Sequence, residues 1–207
     1  MRKNDLKKDV EIITDKGTII VRLSDSTPLH RDNFLKLVKQ AYFDSVLFHR
    51  VIKNFMIQGG DPNSKHAKAD DILGEGGPEY TIPAEFRVSL FHYKGVIAAA
   101  RDGDDTNPKK ASSGSQFYIV QGKKFTDEGL DSVETFRLKG RKIPDAQRRV
   151  YKTIGGAPHL DQNYTIFGEV IKGLDVVDSI AAEPTSKPYN RPLQDIRILK
   201  MKLIKRK

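Results

Sequence analysis

The residues with the clearest capacity for chemistry lie in one block of the chain, residues 48–62. Alternation along a strand from Phe48 places Arg50 on the same face as Phe48 and Ile52, where a guanidinium needs a polar partner or a ligand. The next residues add apolar surface and one amide: Phe55, Met56 and Gln58. An apolar floor with a few convergent polar groups is what a small-ligand pocket requires. The spacing therefore indicates a pocket around Arg50, and a core strand with one edge arginine is the alternative.

The sequence lacks the residue patterns of several other kinds of catalytic site. The chain has no cysteine, and no two of its five histidines are four residues apart, so thiolate chemistry is excluded and a zinc site is not predicted. The serine-rich segment 112–115 lacks the Gly-x-Ser-x-Gly pattern of a nucleophile elbow. The glycine-rich segment 74–77 precedes no helix, and the acidic segment 102–105 lacks the glycine and the glutamate of a calcium loop. We therefore expect neither a metal nor a cofactor.

Short β-type runs between turn residues must position this block, and they favour a mainly antiparallel sheet or barrel. Residues 10–14 and 18–23 predict a hairpin, and Thr27 followed by Pro28 predicts the cap and first turn of an amphipathic helix with Leu29 on its apolar face. The other β-type runs are 47–52, 55–58, 96–100, 117–120 and 166–170. A short helix is predicted at 174–180. A last strand at 196–203 shows one slip in its alternation, as at a β-bulge.

Residues 121–157 interrupt the β pattern and predict a helical insertion in a single domain that spans residues 1–207. Thr126 can cap a first helix, in which Leu130, Val133 and Phe136 share an apolar face. Pro144 can open a second helix, which Gly155 would end. The insertion is interpreted as a lid, a partner site or a passive elaboration.

The net charge of +9 at pH 7 is concentrated in three segments. Residues 1–8 carry +3, residues 200–207 carry +5 and residues 121–157 carry +4, so the rest of the chain is mildly acidic. We interpret these charges as solvated termini and a solvated helical face. An anionic partner, such as RNA, lipid headgroups or an acidic protein, is the alternative, with nucleic acid disfavoured.

Neither a membrane span nor an export signal is predicted from the chain as given. Its longest uncharged apolar run, residues 96–100, is far shorter than the ~20 residues that a membrane-spanning helix needs. The basic N-terminus runs into a strand-like segment where a signal peptide would have its apolar region. The expected setting is a bacterial cytoplasm or periplasm.

Three ordered motifs resemble those of the cyclophilins, the cyclosporin-binding family of peptidyl-prolyl cis-trans isomerases. The first is Phe48-His49-Arg50 followed by Phe55-Met56-Ile57-Gln58-Gly59-Gly60-Asp61. The second is Gly114-Ser115-Gln116-Phe117-Tyr118-Ile119, and the third is Leu160-Asp161 followed by 164–170. The resemblance extends from about residue 10 to residue 203, with 121–157 as the main additional material.

The resemblance implies an eight-stranded antiparallel barrel capped by two helices, with a groove for proline. Carried over by motif, the catalytic residues would be Arg50, Phe55 and Gln58. The substrate-binding residues would be Met56, Ala100, Arg101, Gln116, Tyr118, His159, Leu160 and Tyr164.

Four of these residues depart from the family pattern: Arg101 replaces a common asparagine, Tyr118 a phenylalanine, His159 a tryptophan and Tyr164 a histidine. The Tyr118 hydroxyl would need water or a partner. Because the chain has no tryptophan, only weak cyclosporin binding is expected.

The implied activity is rotation about Xaa-Pro bonds in peptides and unfolded protein clients, by a monomer that helps proteins fold. Arg50 would stabilise the twisted amide, while Gln58 and the backbone of Ala100 would hold the neighbouring carbonyl groups. Two alternatives remain open from the sequence. One is a proline-peptide binding module with little turnover, and the other is an anion-binding surface formed by the basic segments.

Overall fold

The computed structural model describes residues 3–206 of the chain and contains ten β-strands and four α-helices in that range. The strands are β1 (Lys8–Thr14), β2 (Gly17–Leu23), β3 (Arg50–Ile52), β4 (Met56–Gly59), β5 (Thr81–Ile82), β6 (Val96–Ala99), β7 (Ser112–Ser113), β8 (Phe117–Val120), β9 (Ile166–Lys172) and β10 (Ile198–Lys205). The α-helices are α1 (Pro28–Lys39), α2 (Asp127–Phe136), α3 (Asp145–Thr153) and α4 (Leu174–Ala181). Short 3-10 helices span Lys3–Lys7, Pro62–His66 and Pro158–Leu160.

Eight strands form one curled antiparallel sheet in the order β10-β1-β2-β9-β6-β8-β4-β3, and β5 pairs with β7 separately. The two edges of the sheet meet, because Leu47 forms a β-bridge with Arg197. The amide of Phe48 donates to the carbonyl of Ile196 at 2.9 Å, and the amide of Ile198 donates to the carbonyl of Val46 at 2.8 Å. The predicted mainly β fold with eight antiparallel strands is confirmed.

The helices α1 and α4 supply the two predicted caps, and their apolar faces pack into the barrel core. This core includes Phe34 of α1, Phe117 of β8, Phe167 of β9 and Ile180 of α4, each at most 3% exposed. The sheet presents a second cluster on the opposite face of the same strands, which we call the groove cluster. Its buried members are Met56, Val96, Ala98, Tyr118, Val120, Ala157, Leu160 and Ile166.

The start of α1 differs from the expectation in two respects. The Thr27 side chain makes no capping hydrogen bond, and Leu29 is half exposed. The buried carboxylate of Glu85 takes the place of the cap, because it accepts from the amides of Leu29 at 3.2 Å and His30 at 3.0 Å. The same carboxylate contacts Nδ1 of His30 at 2.7 Å. A carboxylate from a distant segment thus satisfies the first free amides of the helix.

The predicted slip in the last strand is a β-bulge at Leu199. Ile13 pairs with Lys200 and Thr14 pairs with Ile198, so Leu199 is left without a partner across the strand pair.

The prediction that Phe48, Arg50 and Ile52 share one face of a strand is wrong for Phe48. The strand begins only at Arg50, so Phe48 packs in the barrel core with Val51, whereas Ile52 lies against the groove cluster.

The helical insertion is present as α2 and α3, and Thr126 caps α2 by accepting from the amide of Gly129 at 3.1 Å. It has a small core of its own, the insertion core, formed by Leu130, Leu138, Ile143 and Tyr151. The predicted position of Phe136 on the buried face is wrong, since its ring is 79% exposed. Glu134 is the α2 residue that is buried beside Leu130 instead. Its carboxylate accepts from the amide of Ile143 at 2.9 Å and pairs with Arg148.

The two ends of the insertion are held together at the barrel. Lys123 forms a β-bridge with Gly156. Gly122 has a φ of +65° and approaches Gly156 so closely that a Cβ atom on Gly122 would lie 2.4 Å from the Cα atom of Gly156. The insertion therefore leaves and rejoins the scaffold at one place.

None of the helices among residues 3–206 is both long and apolar enough to cross a bilayer. Of the basic terminal segments, Met1, Arg2 and Lys207 lie outside the described residues.

Replacing Glu85 by glutamine should lower the free energy of unfolding by about 1–3 kcal/mol, because one oxygen acceptor facing α1 becomes an NH2 donor. Urea unfolding followed by circular dichroism measures this change. The matched control is Glu79→Gln, which alters an exposed side chain in the same loop region. Equal urea midpoints for the two variants would contradict the capping role of Glu85.

Candidate functional site

A groove with a cavity of about 470 Å³ lies over the groove cluster. Nine of the residues predicted from the motifs line it: Arg50, Phe55, Met56, Gln58, Ala100, Arg101, Tyr118, Leu160 and Tyr164. The other two lie at its margin. Gln116 contacts Gln58, and the His159 ring packs at a tilt of 37° against Phe55 with 5.3 Å between the ring centroids. The structure thus brings together the eleven residues that the family resemblance implies, from the three motifs and from positions 100, 101 and 159.

Strand pairing positions the polar side of the groove. Arg50 of β3 lies opposite Gln58 of β4, and Gln58 lies opposite Tyr118 of β8. Side chains directly across an antiparallel pair lie close together on one face, so these three side chains form a row. Met56 lies on the same face two residues before Gln58, where it extends the apolar floor.

A chain of amide hydrogen bonds orients the Arg50 side chain. Its Nη1 donates to Oε1 of Gln58 at 3.2 Å, and Nε2 of Gln58 donates to Oε1 of Gln116 at 3.1 Å. Nε2 of Gln116 donates in turn to the carbonyls of Gly74 at 2.7 Å and Gly76 at 2.9 Å. The carbonyl acceptors at the end of the chain fix the orientation of both amides, so an oxygen of Gln58 faces Arg50.

Arg50 forms no salt bridge with a carboxylate of residues 3–206, and Glu75 is the one carboxylate among the residues that line the groove. Burial lowers the pKa of its guanidinium. The group stays protonated at neutral pH, because an arginine titrates far above that range. Only one of its donor hydrogens is used by Gln58, so the remaining donors are free to bind a ligand in the groove.

The rim of the groove is held by Arg101. Its guanidinium lies over the Tyr164 ring, 4.6 Å from the centroid, and its Nε donates to the carbonyl of Asn163 at 2.8 Å. It also pairs with Asp104 at 2.7 Å. Arg101 thus fastens the 101–114 loop to the segment that carries Leu160 and Tyr164.

Both backbone groups of Ala100 already make hydrogen bonds within the protein. Its amide donates to the carbonyl of Gln116 at 3.0 Å, and its carbonyl accepts from the amide of Ser113 at 2.8 Å. The amide therefore has no hydrogen left to hold a peptide carbonyl. Of the Ala100 backbone groups, only the second lone pair of the carbonyl is unused, and the expected role of this backbone in holding the substrate stays a prediction.

Sequence reasoning missed one wall of the groove. Segments 72–75 and 188–190 and the buried His49 also line it. No local pattern distinguishes these loops from others in the chain. The signal lies in the tertiary structure, because Gln116 attaches the 74–76 backbone to the groove.

Comparison with protein families decides the family to which the chain belongs. The family model described as "Cyclophilin type peptidyl-prolyl cis-trans isomerase/CLD" matches residues 9–203. The chain belongs to this cyclophilin family. A relative from Staphylococcus saprophyticus, named "Putative peptidyl-prolyl cis-trans isomerase", is 34% identical over 192 residues, covering 92% of this chain and 89% of the relative. This cyclophilin is therefore an isomerase enzyme of the peptidyl-prolyl type.

Solved structures agree with the fold of this cyclophilin. A crystal structure of a cyclophilin-type peptidyl-prolyl cis-trans isomerase from Cryptosporidium parvum superposes with a TM-score of 0.70 at 25% identity, covering 97% of this chain and 99% of the other. A second structure of the same protein, in the presence of the dipeptide Ala-Pro, gives a TM-score of 0.67 at 25% identity, with coverage of 93% and 96%.

The floor of the groove in this cyclophilin is tied to the insertion by a buried polar network. The Tyr118 hydroxyl lies 2.9 Å from Nε2 of His92, and Nδ1 of His92 lies 2.9 Å from Oδ1 of Asp161. The Tyr151 hydroxyl of α3 donates to Oδ2 of Asp161 at 2.6 Å. All four side chains are at most 4% exposed. The partner that the Tyr118 hydroxyl was expected to need is His92.

The direction of these hydrogen bonds follows from the chemistry of Asp161. An ionised carboxylate only accepts, so Nδ1 of His92 donates to it. In the neutral imidazole Nε2 then has no hydrogen and accepts from the Tyr118 hydroxyl. Burial raises the pKa of the Tyr118 hydroxyl well above its usual value, which keeps it protonated as a donor.

Replacing Tyr118 by phenylalanine should lower the free energy of unfolding by about 1–3 kcal/mol, because Nε2 of the fully buried His92 loses its partner. Chemical denaturation measures the loss. The matched control is Tyr164→Phe, which removes a hydroxyl that makes no hydrogen bond within residues 3–206. Equal losses in the two variants would contradict the structural role of the Tyr118 hydroxyl.

Stability should also depend on pH through His159. Burial, assisted by the charge of Arg137, lowers the pKa of His159 to about 4, against about 6.5 in an unfolded chain. Between these values the unfolded chain binds more protons, so this contribution to stability is complete above pH ~6.5 and is lost as the pH falls towards ~4.

His159→Gln should reduce the pH slope of the unfolding free energy in this window by up to about 1.4 kcal/mol per pH unit. Urea unfolding across the window measures the slope. Some slope remains in the variant, because burial also lowers the pKa of His49 to about 4. A slope that does not change on substitution would contradict the assignment to His159.

Proposed function

We propose that this cyclophilin accelerates rotation about Xaa-Pro bonds by binding the twisted amide more tightly than either planar form, with Arg50 as the key donor. The observation that carries the proposal is the guanidinium of Arg50, which forms no salt bridge within residues 3–206 and is oriented by Gln58 beside an apolar floor. A charged donor in a partly dehydrated groove interacts more strongly with a developing negative charge than it would in water.

The reaction needs no covalent attack. Rotation destroys the resonance of the amide, which is the origin of its barrier of ~18–20 kcal/mol. In the twisted state the prolyl nitrogen regains a localised lone pair. An N–H of Arg50 directed at this nitrogen would stabilise the twisted state alone, since the lone pair is delocalised in both ground states.

The remaining groove residues would hold one side of the bond fixed while the other turns. Met56, Leu160 and the ring of Phe55 supply the apolar surface for a pyrrolidine ring. Burial of Met56 and Leu160 limits the movement of this floor. The Gln58 oxygen accepts from Arg50 and one hydrogen of its NH2 group is donated to Gln116, so we assign it the positioning of Arg50, with its second NH2 hydrogen available for a neighbouring carbonyl group of the substrate.

The proposed substrates are proline-containing peptides and unfolded protein clients, and the proposed role is that of a folding helper. The Cryptosporidium parvum relative studied in the presence of Ala-Pro supports a proline-containing ligand for the groove. The open groove can accept an extended chain, because Arg50 and Phe55 line a cavity that is continuous with the solvent-exposed segments 72–75 and 188–190. Weak cyclosporin binding remains a prediction, since the chain has no tryptophan and His159 supplies the ring that packs against Phe55.

Arg50→Ala should lower kcat/KM for Xaa-Pro isomerisation by about 10²–10³, the cost of removing a donor that acts in the transition state. NMR exchange spectroscopy on a short Xaa-Pro peptide, with catalytic amounts of protein, measures the rate directly. Arg50→Lys should recover only part of the rate, because a lysine keeps the charge but lacks the planar fork.

The matched control is Lys53→Ala, which removes an exposed positive charge in the turn that follows β3. Circular dichroism and amide NMR spectra establish that each variant is folded. Wild-type exchange rates in a folded Arg50→Ala variant would refute the role of Arg50. Peptide binding by the wild type without any acceleration would instead favour a binding module.

A further inference from the structure

A second cavity, of about 410 Å³, adjoins the groove and is strongly basic. We call it the basic pocket. Five cationic side chains line it: Arg101, Lys110, Arg137, Lys139 and Arg141. Only two carboxylates, those of Asp104 and Asp161, lie in the same lining. The basic pocket therefore carries a net positive charge.

Most of this charge is not neutralised inside the protein. Arg137, Lys139 and Arg141 form no salt bridge with a carboxylate within residues 3–206, and all three are exposed. Arg141 donates to the backbone carbonyl of Asp161. Both carboxylate oxygens of Asp161 accept from His92 and Tyr151, so they are directed into the buried network and away from these cations.

Asp104 neutralises positive charge only at the rim of the basic pocket. Arg101 contacts it at 2.7 Å and Lys110 at 3.7 Å. The Nζ atom of Lys110 also donates to the side-chain oxygen of Asn163 at 2.6 Å. The side contributed by the insertion, with Arg137 and Lys139, is left with cations alone. Clefts lined by one sign of charge concentrate ligands of the opposite sign.

The basic pocket and the groove share a wall. Arg101, Leu160 and Tyr164 line both cavities. His159 lines the basic pocket and packs against the Phe55 ring of the groove. An extended peptide advances by ~3.3 Å per residue. A chain whose proline lies in the groove can thus place a side chain in the basic pocket within a few residues.

We infer that the basic pocket is a subsite for an acidic side chain of the client peptide, so that this enzyme prefers Xaa-Pro segments with Asp or Glu a few residues from the proline. The inference rests on the proposed function of the groove. It gives the insertion a role in choosing clients, because Arg137 and Lys139 follow α2 directly.

The test compares proline peptides that carry Glu at one position, scanned over the residues on both sides of the proline, with the same peptides carrying Gln. NMR exchange gives kcat/KM for each member of a pair, and fluorescence anisotropy gives its Kd. At one position or more the Glu peptide should be preferred about fivefold, the order expected of a partly exposed ion pair. The preference should fall as salt is added.

Arg137→Gln combined with Lys139→Gln should reduce the Glu-to-Gln ratio of kcat/KM to about one. The matched control is Arg149→Gln, which removes an exposed cation of the insertion that does not line the basic pocket, and it should keep the wild-type ratio.

The outcomes separate this inference from the proposed function. Turnover of both peptides with equal kcat/KM at every position would overturn the inference and leave the isomerase proposal intact, whereas no turnover of either peptide would count against the isomerase. An equal loss of the ratio in Arg149→Gln would show a general charge effect and would overturn the subsite. Binding of a single-stranded RNA oligonucleotide that depends on Arg137 and Lys139, without any preference for Glu peptides, would also overturn it.

Discussion

Burial of the central strands on both faces is the constraint on which the rest of this structure depends. Phe117 and Ile119 of β8 pack inside the barrel, while Tyr118 and Val120 pack in the groove cluster. A slip of one residue in strand pairing would exchange the two sets and destroy both the core and the groove. At Gly60, where φ is +95°, a Cβ atom would lie 2.3 Å from the carbonyl oxygen of Ser115, so only glycine permits the two strand ends to approach as they do.

Along the strand side of the groove, the polar groups are arranged so that Arg50 keeps donors that no protein group uses. The amides of Gln58 and Gln116 satisfy each other and the 74–76 backbone, which leaves the Arg50 donors directed at the ligand space. Gln116 is buried and both hydrogens of its amide are used, which holds it in place because an unpaired alternative would cost desolvation energy. Rigidity of this kind is what a site needs if it is to bind a twisted peptide bond better than a planar one.

The insertion is integrated with the catalytic domain rather than attached to its surface. Tyr151 reaches Asp161 from α3, and Asp161 holds His92 against Tyr118 at the groove floor. The insertion core is separate from the barrel core, but this polar network joins it to the groove. The basic residues that follow α2 are consequently held at a definite place beside the groove, whereas a mobile tail would spread the same charge over many positions.

The sequence by itself determined the order and type of the main elements, the bulge at Leu199 and the eleven residues that meet at the groove. These follow from local patterns and from motifs, which do not depend on contacts between distant segments. Only the tertiary structure decided which groups are satisfied and which stay free. Glu85 replaces Thr27 as the cap of α1, Glu134 displaces Phe136 from the insertion core, and the Ala100 amide is used by Gln116. Each of these outcomes joins residues whose partner cannot be identified from spacing, because a buried polar group takes whatever complementary atom the fold brings within hydrogen-bond distance.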